Sequence, residues 1–295
     1  MRMISSVISW KFWVTLIVTP TLLVGCSGLI IDFDSKFVSD EFVTRDNITV
    51  GDITLSYLRA GNPTGQRVIF LHGTPGDAGG NWYQMLKNVP EEYEFLAIDR
   101  PGFGLTKPRS PVTTLKAQVA AFEPLLITRS GKGTILVGHS FGGPVVAAAA
   151  AIHPERVAGI VVAAGALDPD LEDVLFIQHI GTIPPFSWLL DKTLRNSNKE
   201  LIALEKELRL LQPKLATIKQ PVVVVHGTDD KLVPYQNVAF MEDEITNSTH
   251  FEVIKIGGMN HFLQWRSNPE ILAAVKKIVD ALDRPTTTTN LQTAP

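Results

Sequence analysis

A single cysteine, Cys26, stands in a chain of 295 residues. One thiol excludes an internal disulfide, so the core must be held by packing alone. No His/Asp cluster has the spacing of metal ligands, and neither a metal nor an organic cofactor is expected. The 27 lysines and arginines face 30 acidic residues, for a net charge of −3. They gather into no basic stripe, so nucleic acid is not an expected partner. A membrane-crossing helix needs about 20 apolar residues. The N-terminal apolar run, Phe12 to Gly25, is shorter and is broken by Thr15, Thr19, Pro20 and Thr21. No internal repeat is present.

What the N-terminus does have is a basic start, Arg2 and Lys11, ahead of that run, the pattern of a secretory signal. Its end, Leu23-Val24-Gly25-Cys26, resembles a bacterial lipoprotein box. The resemblance implies that residues 1–25 are removed and that Cys26 carries lipid as the mature N-terminus. Ser27 in place of aspartate then implies the outer membrane, periplasmic face, where the host has one. Each buried acyl CH₂ contributes about 0.8 kcal/mol, and two or more chains make anchoring stable. An uncleaved anchor helix and a buried thiol are the plainer alternatives. Without its leader the chain has 25 basic and 30 acidic residues, a net charge of −5.

Residues 26–41 read as a lipidated tether, 42–283 as one domain, and 284–295 as a disordered tail rich in threonine with no packable pattern. Within the domain, strands are predicted at Ile53–Arg59, Arg67–Leu71, Tyr93–Ile98, Thr134–Val137, Val157–Ala164, Pro221–Val225 and Phe251–Ile256. Helical stretches fall near Asn81–Lys87, Leu115–Ile127, Pro144–Ile152, Gln236–Glu242 and Pro269–Leu282. Such alternation predicts an α/β fold, a mostly parallel sheet with helices on both faces.

Gly138-His139-Ser140-Phe141-Gly142 sits between a strand and an alanine-rich helix. Glycine two residues either side of Ser140 permits a tight, strained turn that lifts the hydroxyl above the sheet. A serine hydroxyl is a weak nucleophile and needs a base, and the base needs an acid to orient it. Of seven histidines, His139 lies inside the turn and is expected to point away. His72 and His226 each close a strand before a glycine and read as turn formers. His261 follows a strand and a Gly-Gly-Met-Asn loop, and is the candidate base. Asp229 and Asp230 both end strand Pro221–Val225, where open α/β sheets place their chemistry, and Asp168 is a reserve acid. Upstream, His72-Gly73-Thr74-Pro75-Gly76 ends a strand in a glycine-rich turn. Its Thr74 N–H, with that of Phe141, is the candidate pair of oxyanion donors. Asp99 reads as a fixer of loop N–H groups rather than a second acid.

These segments, with Asp99-Arg100-Pro101-Gly102-Phe103-Gly104, His226-Gly227-Thr228-Asp229-Asp230-Lys231-Leu232-Val233-Pro234 and Asn260-His261-Phe262, resemble the α/β-hydrolase superfamily over roughly residues 50–283. In similar proteins the acid falls three residues after the His-Gly glycine and three before Val-Pro, which selects Asp230. The resemblance implies a Ser140–His261–Asp230 triad acting on a carboxylic ester or related acyl compound. It also implies a small helical lid over about residues 167–218. Leu171–Ile180, Phe186–Leu194 and Lys199–Leu211 are its expected short helices. Phe176, Phe186, Trp188 and Leu189 line an acyl pocket or pack the lid onto the sheet, and Glu205, Lys206, Glu207 and Arg209 form a solvated face. Ser140 at the elbow argues against chemistry in which a carboxylate attacks. A prolyl-aminopeptidase-like enzyme is the alternative. It needs an acidic pair such as Glu172 with Asp173 or Asp191, and Thr74 replaces a glycine common in that group. A non-catalytic envelope binding protein is the other alternative. The oligomeric state is left open.

Overall fold

The fully buried strands are built mainly of apolar residues, with Glu94, Thr134, His139 and His226 as buried polar exceptions. The computed structural model describes residues 39–172, 183–184, 186–188 and 190–284. The leader, Cys26, most of the tether, Asp173, Phe176, His179, Leu189 and the tail from residue 285 lie outside the described residues. Strands run in chain order as β1 (Thr44–Val50), β2 (Ile53–Gly61), β3 (Gln66–Leu71), β4 (Tyr93–Ile98), β5 (Thr134–His139), β6 (Val157–Ala163), β7 (Val222–Gly227) and β8 (Phe251–Ile256). They form one sheet in the order β1-β2-β4-β3-β5-β6-β7-β8. β3 to β8 are parallel, and β1 and β2 extend the β4 edge antiparallel. Every residue of β4, β5, β6 and β7 is buried, as expected where helices cover both faces.

Alternate side chains feed two cores. Val68, Phe70, Val223 and Val225 pack with Trp82 of α1 (Ala78–Lys87) and Ile271, Val275 and Ile278 of the C-terminal helix. Ile69, Leu71, Val222 and Val224 pack on the other face with Val119 of α2 (Leu115–Phe122), Val145 of α3 (Gly142–Ile152), Leu204 and Leu208 of α4 (Lys192–Leu215), and Met241 of α5 (Gln236–Glu244). A short α6 (Leu263–Arg266) leads into the C-terminal helix, α7 (Asn268–Asp283). The sequence expectation of helices on both faces of a mostly parallel sheet is thus met.

Three local expectations are corrected. β1 was not anticipated, because its sequence Thr-Arg-Asp-Asn-Ile-Thr-Val is polar and half-exposed, as an edge strand can be. The stretches Phe186–Leu194 and Lys199–Leu211 are not two short helices. Residues 186–188 form a single 3₁₀ turn, and one 24-residue helix, α4, starts at Lys192 and continues through Lys199–Leu211. Asp191 caps it, accepting from Leu194 N at 2.9 Å. The weak helix formers Asn196 and Ser197 are overridden by burial, with Asn196 Nδ2 donating to Gly102 O at 2.8 Å. Glu207 is not merely solvated, since its carboxylate accepts from Leu115 N at 2.9 Å. Arg209 does lie on an exposed face, paired with Glu205 and Asp170.

Candidate active site

The strand ends bring the chemistry together. Ser140 follows β5, Asp99 follows β4, the His72 turn follows β3, Asp230 follows β7 and His261 follows β8. All lie at the carboxyl edge of parallel strands, where such sheets place ligands.

The turn at Ser140 has the strain its sequence predicts. Ser140 has φ +55°, in the left-handed region that costs a side-chain-bearing residue about 1–2 kcal/mol. Its N–H bonds Ala163 O at 3.0 Å and its carbonyl accepts from Gly143 N at 2.9 Å, so the surroundings hold it there. The flanking glycines answer to contact. A Cβ on Gly138 would sit 2.2 Å from Gly142 O, and one on Gly142 would sit 2.6 Å from Leu71 O. Ser140 therefore stands at the N-terminal end of α3, where the helix dipole favours negative charge.

His261 Nδ1 and Asp230 Oδ2 are 2.8 Å apart, and both residues are buried. The other Asp230 oxygen accepts from Leu232 N at 2.9 Å and Val233 N at 2.8 Å. Burial pushes this carboxyl's pKa up, but the hydrogen bond and charge of His261 and the two N–H groups outweigh it, leaving it below its ordinary value. Asp229 is exposed, and its N–H donates to Met259 O at 2.9 Å. Asp168 Oδ1 caps a 3₁₀ turn through Asp170 N. With Nδ1–H engaged by Asp230, Nε2 of His261 is left as the acceptor. Among the described residues the Ser140 hydroxyl makes no hydrogen bond, to His261 or to any other group. Such contacts are often loose until substrate is bound.

His139 does not point away. Its Nε2 lies 2.9 Å from the carbonyl of His261, and the two rings are 4.8 Å apart. Burial, then the neighbouring His261, lowers its pKa to about 3, so it is a neutral donor tying the nucleophile turn to the His261 loop. His226 is the turn former expected, with Nδ1 at 3.1 Å from Gly227 O.

Facing the elbow, the His72 turn crosses close to Ser140. A Cβ on Gly73 would lie 2.8 Å from Ser140 Cβ and 3.3 Å from its hydroxyl oxygen. Neither Thr74 N–H nor Phe141 N–H donates to another group among the described residues. Asp99 behaves as read, accepting from Ala78 N at 2.8 Å, Leu105 N at 2.9 Å and Arg45 Nη1 at 2.6 Å. Sequence reasoning missed the buried pair Arg100–Glu200 beneath this turn. Its one signal was a glutamate in register with Leu204, Leu208 and Leu211 on the buried stripe of α4. Asp191, a candidate for holding a peptide amine, has an oxygen engaged in capping α4. No group of metal-ligating side chains occurs among the described residues, and no helix there is long and apolar enough to cross a membrane.

Comparison with known proteins places these features in a wider set. Residues 66–188 match a family model described as alpha/beta hydrolase fold. A non-heme chloroperoxidase of Streptomyces lividans is 30% identical over 277 residues, covering 78% of this chain and 99% of that protein. The dihydrolipoyllysine-residue acetyltransferase component of the acetoin cleaving system of Cupriavidus necator is 37% identical over 114 residues, but the match spans only 30% of that protein. Among solved structures, a serine hydrolase from Cycloclasticus zankles superposes with a TM-score of 0.64 at 19% identity, over 82% of this chain and 99% of that one, a likeness of fold.

Proposed function

The chain belongs to the α/β-hydrolase family, and on that premise we propose that it is a serine hydrolase cleaving a carboxylic ester or related acyl compound through an acyl-enzyme. The observation that carries the reading is the pairing of a left-handed serine elbow with a His261–Asp230 hydrogen bond of 2.8 Å at the same sheet edge. In the reaction, the Ser140 side chain turns towards His261 Nε2, which takes its proton as the oxygen attacks the substrate carbonyl. The imidazolium so formed is held by Asp230. The carbonyl oxygen becomes an oxyanion, received by the N–H groups of Phe141 and Thr74. Collapse of that intermediate expels the alcohol with the proton from His261. Water, deprotonated by the same nitrogen, then releases the acid and restores Ser140.

Ser140→Ala is expected to abolish hydrolysis of short p-nitrophenyl esters and labelling by a fluorophosphonate, with the fold unchanged by circular dichroism. Undiminished turnover would remove the nucleophile assignment. A proline amide hydrolysed faster than the esters would favour the aminopeptidase alternative.

The placement proposed for the enzyme is the bacterial cell envelope, held by lipid on Cys26 after removal of residues 1–25. Support comes from the Leu-Val-Gly-Cys end of the leader. Intact mass of protein extracted from native membranes should begin at an acylated Cys26. An unmodified Met1 start would overturn it.

A further inference from the structure

We propose that Arg100 is a positioning residue that sets the direction of the Thr74 N–H, and that Glu200 of α4 holds Arg100 in place to do so. This inference rests on the serine-hydrolase reading and deepens it.

The argument starts from one peptide plane. Gly73 C=O and Thr74 N–H belong to the same peptide unit, which is trans, so the two groups point in opposite directions across a rigid plane. Whatever fixes the carbonyl fixes the donor. The Gly73 carbonyl lies 2.9 Å from Arg100 Nη2 and 2.7 Å from His72 Nδ1. His72 can act only as a donor there. Its Nε2 accepts from Arg100 N at 3.0 Å, which leaves the proton on Nδ1. Burial, then the Arg100 charge, keeps His72 neutral, consistent with that tautomer.

The guanidinium is itself over-determined. Nε donates to His72 O at 2.9 Å, Nη1 to Glu200 Oε1 at 2.8 Å, and Nη2 to Glu200 Oε2 at 3.0 Å as well as to Gly73 O. Glu200 Oε1 takes a further bond, from Gln118 Nε2 at 2.7 Å. Arg100 and Glu200 side chains are both 0% exposed. The same guanidinium carbon lies 4.6 Å from the ring centroid of Phe141, the residue carrying the second candidate donor. One cation thus bears on both halves of the oxyanion hole.

Two consequences follow from the chemistry. A carboxylate paired through both oxygens largely cancels the cation's long-range field, so Arg100 acts through geometry rather than as a free positive charge. Donation into the Gly73 carbonyl also polarises its peptide, which makes the Thr74 N–H a better donor. Neither effect survives exchange for lysine, whose point charge lacks the planar fork that spans His72 O, Gly73 O and both carboxylate oxygens. Helix α4 therefore bears on the reaction through two side chains that are wholly buried.

The test compares Arg100→Lys and Glu200→Gln in the full chain, with Gln118→Ala as a control that leaves the Gly73 carbonyl bonds intact. For p-nitrophenyl esters, kcat should fall by about 10²-fold, the loss typical of one oxyanion donor, while KM stays within about threefold. The affinity for a trifluoromethyl ketone, which forms a tetrahedral oxyanion on serine, should fall by the same factor. Gln118→Ala should lose less than about threefold in kcat. A folded Glu200→Gln enzyme with unchanged kcat, or one losing kcat without losing ketone affinity, would overturn the proposal. If Arg100→Lys fails to fold, Glu200→Gln decides. Failure of both to fold would make the pair a structural brace and also overturn it. Turnover by Ser140→Ala equal to wild type would instead defeat the underlying hydrolase reading.

Discussion

Asp230→Asn changes one oxygen for an amide nitrogen and isolates what the acid does. In the wild type, Oδ1 accepts two backbone N–H groups, from Leu232 and Val233, and Oδ2 faces His261 Nδ1 at 2.8 Å. The asparagine carbonyl will keep the two backbone bonds, because an NH₂ aimed at two N–H donors satisfies nothing. That choice turns the NH₂ towards His261 Nδ1. The imidazole must then accept there and carry its proton on Nε2, the wrong tautomer for taking a proton from Ser140. Loss of the acid's charge also removes its support for the imidazolium. Where the same exchange has been made in Ser-His-Asp enzymes, kcat falls about 10⁴-fold, or about 5.5 kcal/mol of transition-state stabilisation. Steady-state kinetics on a p-nitrophenyl ester at pH 7 should give a loss of that order in kcat with KM little changed. The turn should survive, so the thermal midpoint should move by only a few degrees. Asp229→Asn, at an exposed carboxylate one residue away, should stay within about twofold of wild type. A loss under tenfold in Asp230→Asn, or equal losses in both variants, would refute the assignment of the acid.

Two further outcomes follow from burial and contact. His139 has a folded pKa of about 3 against an ordinary 6.5, so below pH 6.5 the unfolded chain binds a proton that the folded chain refuses. Its contribution is full above pH 6.5 and is lost as pH falls towards 3, amounting to about 2 kcal/mol by pH 5. Urea unfolding of wild type should show at least that difference between pH 7 and 5, and His139→Gln should show about 2 kcal/mol less; equal pH differences would remove the argument. Gly138→Ala would drive a Cβ against the Gly142 carbonyl, 2.2 Å away on the backbone. About 3 kcal/mol of destabilisation, roughly 6–12 °C in thermal midpoint, is expected, and a shift under about 2 °C would show that the elbow can relax.

What could be read from the sequence was what short spans of chain encode. The left-handed Ser140 follows from glycines at fixed offsets, since each keeps a neighbouring backbone clear. The buried strands are legible as apolar runs. Asp229 and Asp230 could not be separated by residue type. They differ because β7 ends so that only one faces the histidine loop, and family spacing, not composition, selected between them. β1 was hidden by its polar, half-exposed sequence. The continuity of α4 was hidden because Asn196 and Ser197 disfavour helix unless something buries them, and the partner of Asn196 is Gly102, 94 positions away.

Arg100 and Glu200 illustrate the limit in its sharpest form. They are 100 residues apart and each is ordinary in its own neighbourhood, one in a turn and one in an amphipathic helix. Only burial gives them meaning. A bare guanidinium or carboxylate in a dry interior costs several kcal/mol, so either residue alone would be untenable there. Together they are tolerated, yet an apolar pair of similar volume would stabilise the interior at least as well. Stability alone is therefore a weak reason for this pair. The reason that fits its bonds is direction: an arginine fixed by a carboxylate on α4 can hold a carbonyl on its other side, and through that carbonyl aim an N–H into the site. A shift of α4 must then displace Glu200 and so loosen the Gly73–Thr74 peptide that, on the proposed reading, receives the oxyanion.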